Sequence, residues 1–294
     1  MREHDLKHGA LPINKVTRAI KKAIRRFKNA GIAKGMGFDW NVGYDVRNHI
    51  GAIKIKNQGD NLSCGGQSGS YFIDIQRRLM GINDGELSAK SVYAPIAHQG
   101  GGTTVTDLMI QIAMRGANTE LLIPSYDVSD NPLPEIKMID KSWENDATIK
   151  DAENRAGFTP YDIAEDIDEV ANTIYTYGAV LVEITGQNNG TWASAYPTHP
   201  LKSNPNPLWN HFQCLIGAKM INGKKYAIAL QSMGTNWGEQ GIQYFGEDYF
   251  KSGYIIDCFT LIPDYKLKPI PGNNDFWTNL WKWFMIWKKQ LAMA

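Results

Sequence analysis

The stretch QGDNLSCGGQSG, Gln58 to Gly69, sets one of the chain's three cysteines among small and polar residues. A cysteine kept for packing sits among apolar neighbours. Cys64 is instead ringed by backbone that bends and by side chains that donate hydrogen bonds. A thiol attacks well only when a base takes its proton or positive electrostatics stabilise the thiolate. It also needs donors for the oxyanion that forms when it attacks a carbonyl. Gln58, six residues upstream, carries such an amide. The glycines Gly59, Gly65 and Gly66 allow close approach of backbone to a substrate. From Ser68 to Leu79 the apolar residues Tyr71, Phe72, Ile75 and Leu79 share one helical face. That places Cys64 near a helix N-terminus, where the dipole favours a thiolate.

The other cysteines, Cys214 and Cys258, are distant, and with Cys64 they form no CxxC pair. Neither a disulfide framework nor a zinc site is indicated, and no metal or cofactor is implied. The formal net charge of +1 argues against a general nucleic-acid binder. The N-terminus lacks the apolar core of a secretory signal. No stretch reaches the ~18 apolar residues of a spanning helix. The expectation is a cytoplasmic or virion-associated protein.

Three regions follow from composition. Residues 1–36 carry ten Lys/Arg against Glu3 and Asp5, with Ile13, Val16, Ile20 and Ile24 in a narrow stripe, a basic helical appendage. Residues 266–294 form a tail with four tryptophans in eleven residues, interleaved with lysines. It suits a membrane surface or a partner protein's groove, and packing back on the body suits it equally. Between them, residues 37–265 read as helices followed by strands, an α+β chain. VGYDVRNHIGAIKIKNQ reads as a strand, and HQGGGTTVTDLMIQIAMRG as a loop and helix capped by Thr104 or Thr106. Thr159-Pro160 reads as a helix start with Asp162 in its first turn. AVLVEI, HFQCLIGAKMI, KKYAIALQSM and YIIDCFTLI read as strands, with a turn at Asn222-Gly223.

Six histidines compete for the role of base. His211 differs in opening an apolar strand directly after Asn210, although a lone histidine is more often structural. A base needs a third group to orient it, and QSMGTNWG, Gln231 to Gly238, supplies amides and a tryptophan at the end of the next strand.

Taken together, Gln58-Gly59, Cys64, His211 and QSMGTNWGEQG resemble the papain family of cysteine peptidases over about residues 38–261. The Cys64-to-His211 interval suits the papain and cathepsin type. The resemblance implies a helical left half packed on a β-barrel-like right half, with the cleft between them. It implies Cys64 as nucleophile, His211 as base and later acid, Gln58 as oxyanion donor and Gln231 in the orienting position. Gly101 and Gly102 resemble the paired glycines that bind substrate backbone, and Trp237 a tryptophan near the cleft. Glu183 approaches the pocket for the second residue before the cut, or else faces outward. There are departures: Gln231 stands for an asparagine, Met233 for a shielding tryptophan, Asn61 for a disulfide cysteine, and Gly65-Gly66-Gln67 for Trp-Ala-Phe. The implied function is hydrolysis of a peptide or protein substrate through an acyl-enzyme. Acyl transfer to an amine, or a binding or structural scaffold without turnover, is the alternative.

Overall fold

The computed structural model describes residues 37–263. The basic appendage and the Trp-rich tail, with the expectations attached to them, lie outside the described residues. Among the described residues no helix is long and apolar enough to cross a membrane.

The first half is helical. A short strand β1 (Tyr44–Asp45) leads into a single helical turn α1 (Arg47–Ile50). Then come α2 (Cys64–Leu79), α3 (Ala89–Tyr93), α4 (Val105–Ile110), α5 (Glu135–Met138) and α6 (Asp146–Glu153). Thr104 caps α4, its hydroxyl accepting from the Asp107 N–H at 3.2 Å. Residues 42–58, read as a strand, form only β1, α1 and an isolated bridge from Asn57 to Met233. Val46 and Ile53 are buried in the core, and the segment pairs too little to make a ladder.

The second half is a sheet. Its strands are β2 (Phe158–Ile163), β3 (Val180–Gln187), β4 (Leu208–Ile221), β5 (Lys224–Leu230), β6 (Ile242–Gly246) and β7 (Ile255–Pro263). Helix α7 (Ile167–Tyr177) separates β2 from β3, and α8 (Glu247–Lys251) separates β6 from β7. The order is β2-β7-β3-β4-β5-β6, with β1 paired to β4 past the end of β3. The outer strands β2 and β6 do not meet, so the described sheet is open rather than closed like a barrel. The β4–β5 hairpin turns on Asn222 (φ 50°) and Gly223 (φ 76°), the left-handed pair that matches strand twist.

The helix expected from Thr159 is instead β2, and α7 starts eight residues later. Phe158 to Ile163 pair at the sheet edge and are mostly buried, which outweighs the Thr-Pro start signal. An edge strand also tolerates Pro160, which has no N–H to give to a ladder. Asp166 provides the true cap, accepting from the Asp168 and Glu169 N–H groups.

Helix α2 is the axis of the molecule, and 13 of its 16 residues are buried. It starts at Cys64 itself, four residues before the apolar face becomes visible in the sequence. The glycines there make room for neighbours. A Cβ on Gly66 would stand 2.5 Å from the Ala89 carbonyl oxygen and 2.6 Å from Tyr93 Cβ. One on Gly65 would lie 2.5 Å from a Thr103 methyl, and one on Gly69 would lie 2.9 Å from a Leu108 methyl. Gly65 and Gly66 thus serve helix packing, where the sequence pointed to substrate approach. Gly59 (φ 58°) likewise sits against Pro132.

Tyr71, on the same helix, joins three segments. Its buried hydroxyl accepts from the Lys56 N–H and donates to the Gln231 carbonyl at 3.1 Å. Burial pushes its pKa up, so it stays a donor at any working pH.

Two substitutions test this packing. Gly66→Ala forces a methyl group against backbone and is expected to lower unfolding free energy by about 1–3 kcal/mol in urea titration. Tyr71→Phe strands one backbone donor and one acceptor in the interior. Its expected cost is on the order of 2–4 kcal/mol, and a loss within 0.5 kcal/mol (roughly the scale of a surface change) would refute the tie.

Candidate active site

Cys64 is the first residue of α2, fully buried, and its thiol is not in a disulfide. The N-cap Ser63 makes no side-chain capping bond. The preceding loop is pinned at two points. Asn61 donates to the Leu133 carbonyl at 2.8 Å and accepts from the Ser63 N–H at 3.1 Å, a hydrogen-bonded clasp where the family places a disulfide cysteine. The Leu62 N–H donates to the Glu135 carboxylate at 2.6 Å, and the same carboxylate accepts from the Tyr93 hydroxyl at 2.7 Å.

Gln58 is fully buried and fixed in orientation. Its Oε1 accepts from the Ser232 hydroxyl at 2.6 Å, and its backbone N–H donates to the Ser232 carbonyl at 2.7 Å. One hydrogen of its Nε2 goes to the Asn61 carbonyl at 2.8 Å. An amide nitrogen carries two hydrogens, and the second is what an oxyanion needs.

His211 lies in β4 opposite Ile184 of β3 and is fully buried. The adjacent Phe212 belongs to the apolar core shared with α2, and its ring lies 3.4 Å from where a Cβ of Gly65 would stand. The residue after the thiol therefore packs on the residue after the imidazole. Burial lowers the His211 pKa to about 4, and the neighbouring Gln231 side chain opposes that shift by favouring the charged ring. No charged side chain is among the causes of that shift.

Gln231 follows the last residue of β5 and is fully buried. It is held by a second glutamine that the sequence reading missed, Gln243 of β6. The Gln231 Nε2 donates to Gln243 Oε1, and Gln243 Nε2 donates to the carbonyls of Trp192 and Ser194, the latter at 2.8 Å. Trp192 was missed as well. Its indole meets the His211 ring edge-on, 5.9 Å between centroids, and Trp209 does so at 6.3 Å. The two indoles contact each other at 4.5 Å. They box the imidazole where Met233 replaces the expected tryptophan. The only sequence cues were a polar residue inside the short apolar run Ile242 to Phe245 and a tryptophan in a loop.

The remaining expected residues are placed as follows. Gly101 (φ 92°) and Gly102 (φ 80°) are buried, and Gly101 packs on Leu62 and Glu135 beside the cysteine loop. Much of their backbone is already bonded. The Gly101 N–H donates to the His98 carbonyl, the Gly102 carbonyl accepts from the His98 N–H, and the Gly102 N–H donates to the Tyr93 hydroxyl. Trp237 is nearly buried, in the turn between β5 and β6. Glu183 faces neither solvent nor an open pocket: it is fully buried in β3 and accepts from Asn210 Nδ2 at 3.0 Å.

Of the other histidines, His98 pairs with Asp107 at 2.9 Å, His49 stacks on Tyr44, and His199 bonds the Pro200 carbonyl. His4 and His8 lie outside the described residues. Asp162, Glu165 and Asp257 bring carboxylate oxygens within 4.8 Å of one another, a spacing common without an ion. An open depression of 810 Å³ bordered by Arg47, Ile55, Asn236, Glu239 and Tyr244 includes none of the candidate catalytic side chains.

Comparison with protein-family models and with curated proteins gives no match. Solved structures do match. Xylellain, a cysteine protease from Xylella fastidiosa, has a TM-score of 0.67 and 16% identity, covering 90% of this chain and 98% of its own. Procathepsin B from Trypanosoma congolense gives a TM-score of 0.65 at 14% identity over 88% and 87% of the two chains. Digestive procathepsin L 3 of Tenebrio molitor gives 0.59 at 18% identity over 87% and 83%. With its helical half, its open antiparallel sheet and these neighbours, the chain has the papain-like fold of cysteine proteases.

Proposed function

We propose that the protein is a cysteine peptidase in which Cys64 and His211 act as nucleophile and base on a peptide or protein substrate. The observation that carries the reading is the buried His211 ring beside the Gln231 amide, with its neighbour Phe212 packed on the start of the helix that Cys64 heads. Burial by itself keeps the imidazole neutral. Transfer of the thiol proton to the ring creates opposite charges at once, each stabilising the other, so the two groups titrate as a pair. The thiolate attacks the scissile carbonyl carbon. The oxyanion is met by the Gln58 Nε2–H and the Cys64 backbone N–H at the head of α2. His211 then gives its proton to the leaving amine, and water, deprotonated by His211, releases the acyl group. Substrate binding along Gly101 and Gly102 requires the Gly101 carbonyl or exchange of a bond within that loop. Trp237 and Glu183 then support the walls rather than touch substrate.

A second reading, a papain-like scaffold without turnover, draws on two observations. Cys64 and His211 are both fully buried, and the glycine backbone is bonded inward. A resting form with a covered thiol accounts for the same facts.

Cys64 alkylation by iodoacetamide, followed by mass spectrometry across pH, separates these readings. Burial slows labelling overall, so the shape of the profile is the readout and not the absolute rate. A thiol–imidazole pair labels well below pH 7, and His211→Ala moves the onset to near ~8.5, the value of an ordinary thiol. An onset near that value in both chains would sink the peptidase reading.

A further inference from the structure

The buried amides around His211 form a chain whose polarity is fixed from its far end. Amide oxygen and nitrogen are ordinarily assigned from their partners, and so is the position of an imidazole's proton. Here the partners leave one choice. The carbonyls of Trp192 and Ser194 can only accept, so Gln243 must turn its NH2 toward them. Its Oε1 then faces back across the sheet, where it accepts from Gln231 and, at 3.5 Å, from Gln213 Nε2. Because Gln231 spends its NH2 on that oxygen, the atom left for the imidazole is Oε1, a buried acceptor that takes no other hydrogen bond among the described residues. All four side chains are fully buried, beyond the reach of water that would let the amides turn.

The sheet register makes this possible. His211 and Gln213 are two apart on β4 and point to the same face. Gln231 follows β5 directly, and Gln243 sits opposite Ala229 on β6. The three strands are neighbours, so one face carries ring, amide and amide in a row.

We infer that Gln243 is a positioning residue for the reaction: by fixing the Gln231 amide, it dictates which nitrogen of His211 carries the proton and leaves the other as the base. The inference rests on the Cys64–His211 reading above. A Gln231 free to turn would present its NH2 to the ring half the time, selecting the opposite tautomer and disfavouring the imidazolium. Around the ring stand the neutral amide of Gln231 after β5, Ile184 opposite on β3, and the indoles of Trp192 and Trp209.

Two measurements test it. The first uses the unmutated chain labelled with 15N-histidine, its thiol blocked by methyl methanethiosulfonate, with the His211 signal assigned by its loss in His211→Gln. A single neutral tautomer is expected, and a mixture of the two would overturn the assignment. The second is the pH profile of Cys64 alkylation by iodoacetate, an anionic probe whose rate falls when the imidazolium is lost. In Gln243→Met the alkaline limb is expected to move down by about one pH unit, the size of one hydrogen bond to a charged group. Gln231→Leu should shift it similarly, and the double variant no further than Gln231→Leu. A residue with only a structural role would lower the melting temperature and leave that limb in place, and this result, or additive shifts, would also overturn the inference. A wild-type profile without a limb would instead count against the thiol–imidazole reading, with the tautomer measurement still deciding the role of Gln243. The same measurement decides if Gln243→Met fails to fold.

Discussion

One buried hydroxyl holds the halves of this protein in register. Tyr71 OH bonds at once to the backbone before Gln58 and to the carbonyl of Gln231, while its own helix begins with Cys64. Three candidate catalytic residues from three segments are thereby referred to a single atom in the interior. Buried backbone groups must be paired, so losing this atom costs more than one contact. Around it the fit is tight: glycines at 65, 66 and 69 let α2 lie against its neighbours at distances that no Cβ would allow. A helix so confined cannot drift, and the position of its first residue is fixed with it.

The departures from the papain pattern compensate one another. A glutamine is one methylene longer than asparagine and has one more rotatable bond, a loss of precision for an orienting group. Gln243 and two loop carbonyls remove that freedom. Met233 does not cover the imidazole as a tryptophan would, and Trp192 and Trp209 do so from the segment before β4 and its first residues. Gly186 makes this possible, since any Cβ there would overlap the Trp209 ring. Trp192 serves twice, with its ring against His211 and its carbonyl on Gln243.

Desolvation acts on the ring in a definite direction. Burial disfavours the imidazolium, and the Gln231 side chain beside the ring restores part of it. In the proposed mechanism, charge on His211 is tied to charge on Cys64. Cys214 shows the other outcome. It is a buried thiol in the same core, with its pKa pushed up by burial. Burial without a base or donors makes an inert packing residue.

By itself, the sequence determined the order of the fold and named the residues of a candidate site. The strands β3, β4, β5 and β7, the Asn222-Gly223 turn, the Thr104 cap and the helix through Tyr71 and Leu79 were legible because period, turn residues and caps are local signals. Cys64, His211, Gln58 and Gln231 were legible as residue types in a telling order. Tertiary structure decided what depends on partners far along the chain. Pairing at the sheet edge overrode the Thr159-Pro160 signal, and helix packing carried α2 back to Cys64 through glycines that disfavour helices on their own. The sheet stayed open where a barrel was expected, since closure depends on strand twist and register over the whole sheet. Gln243 and Trp192 carried no readable signal, because a single amide or indole gains its role only from the side chain that folding places beside it.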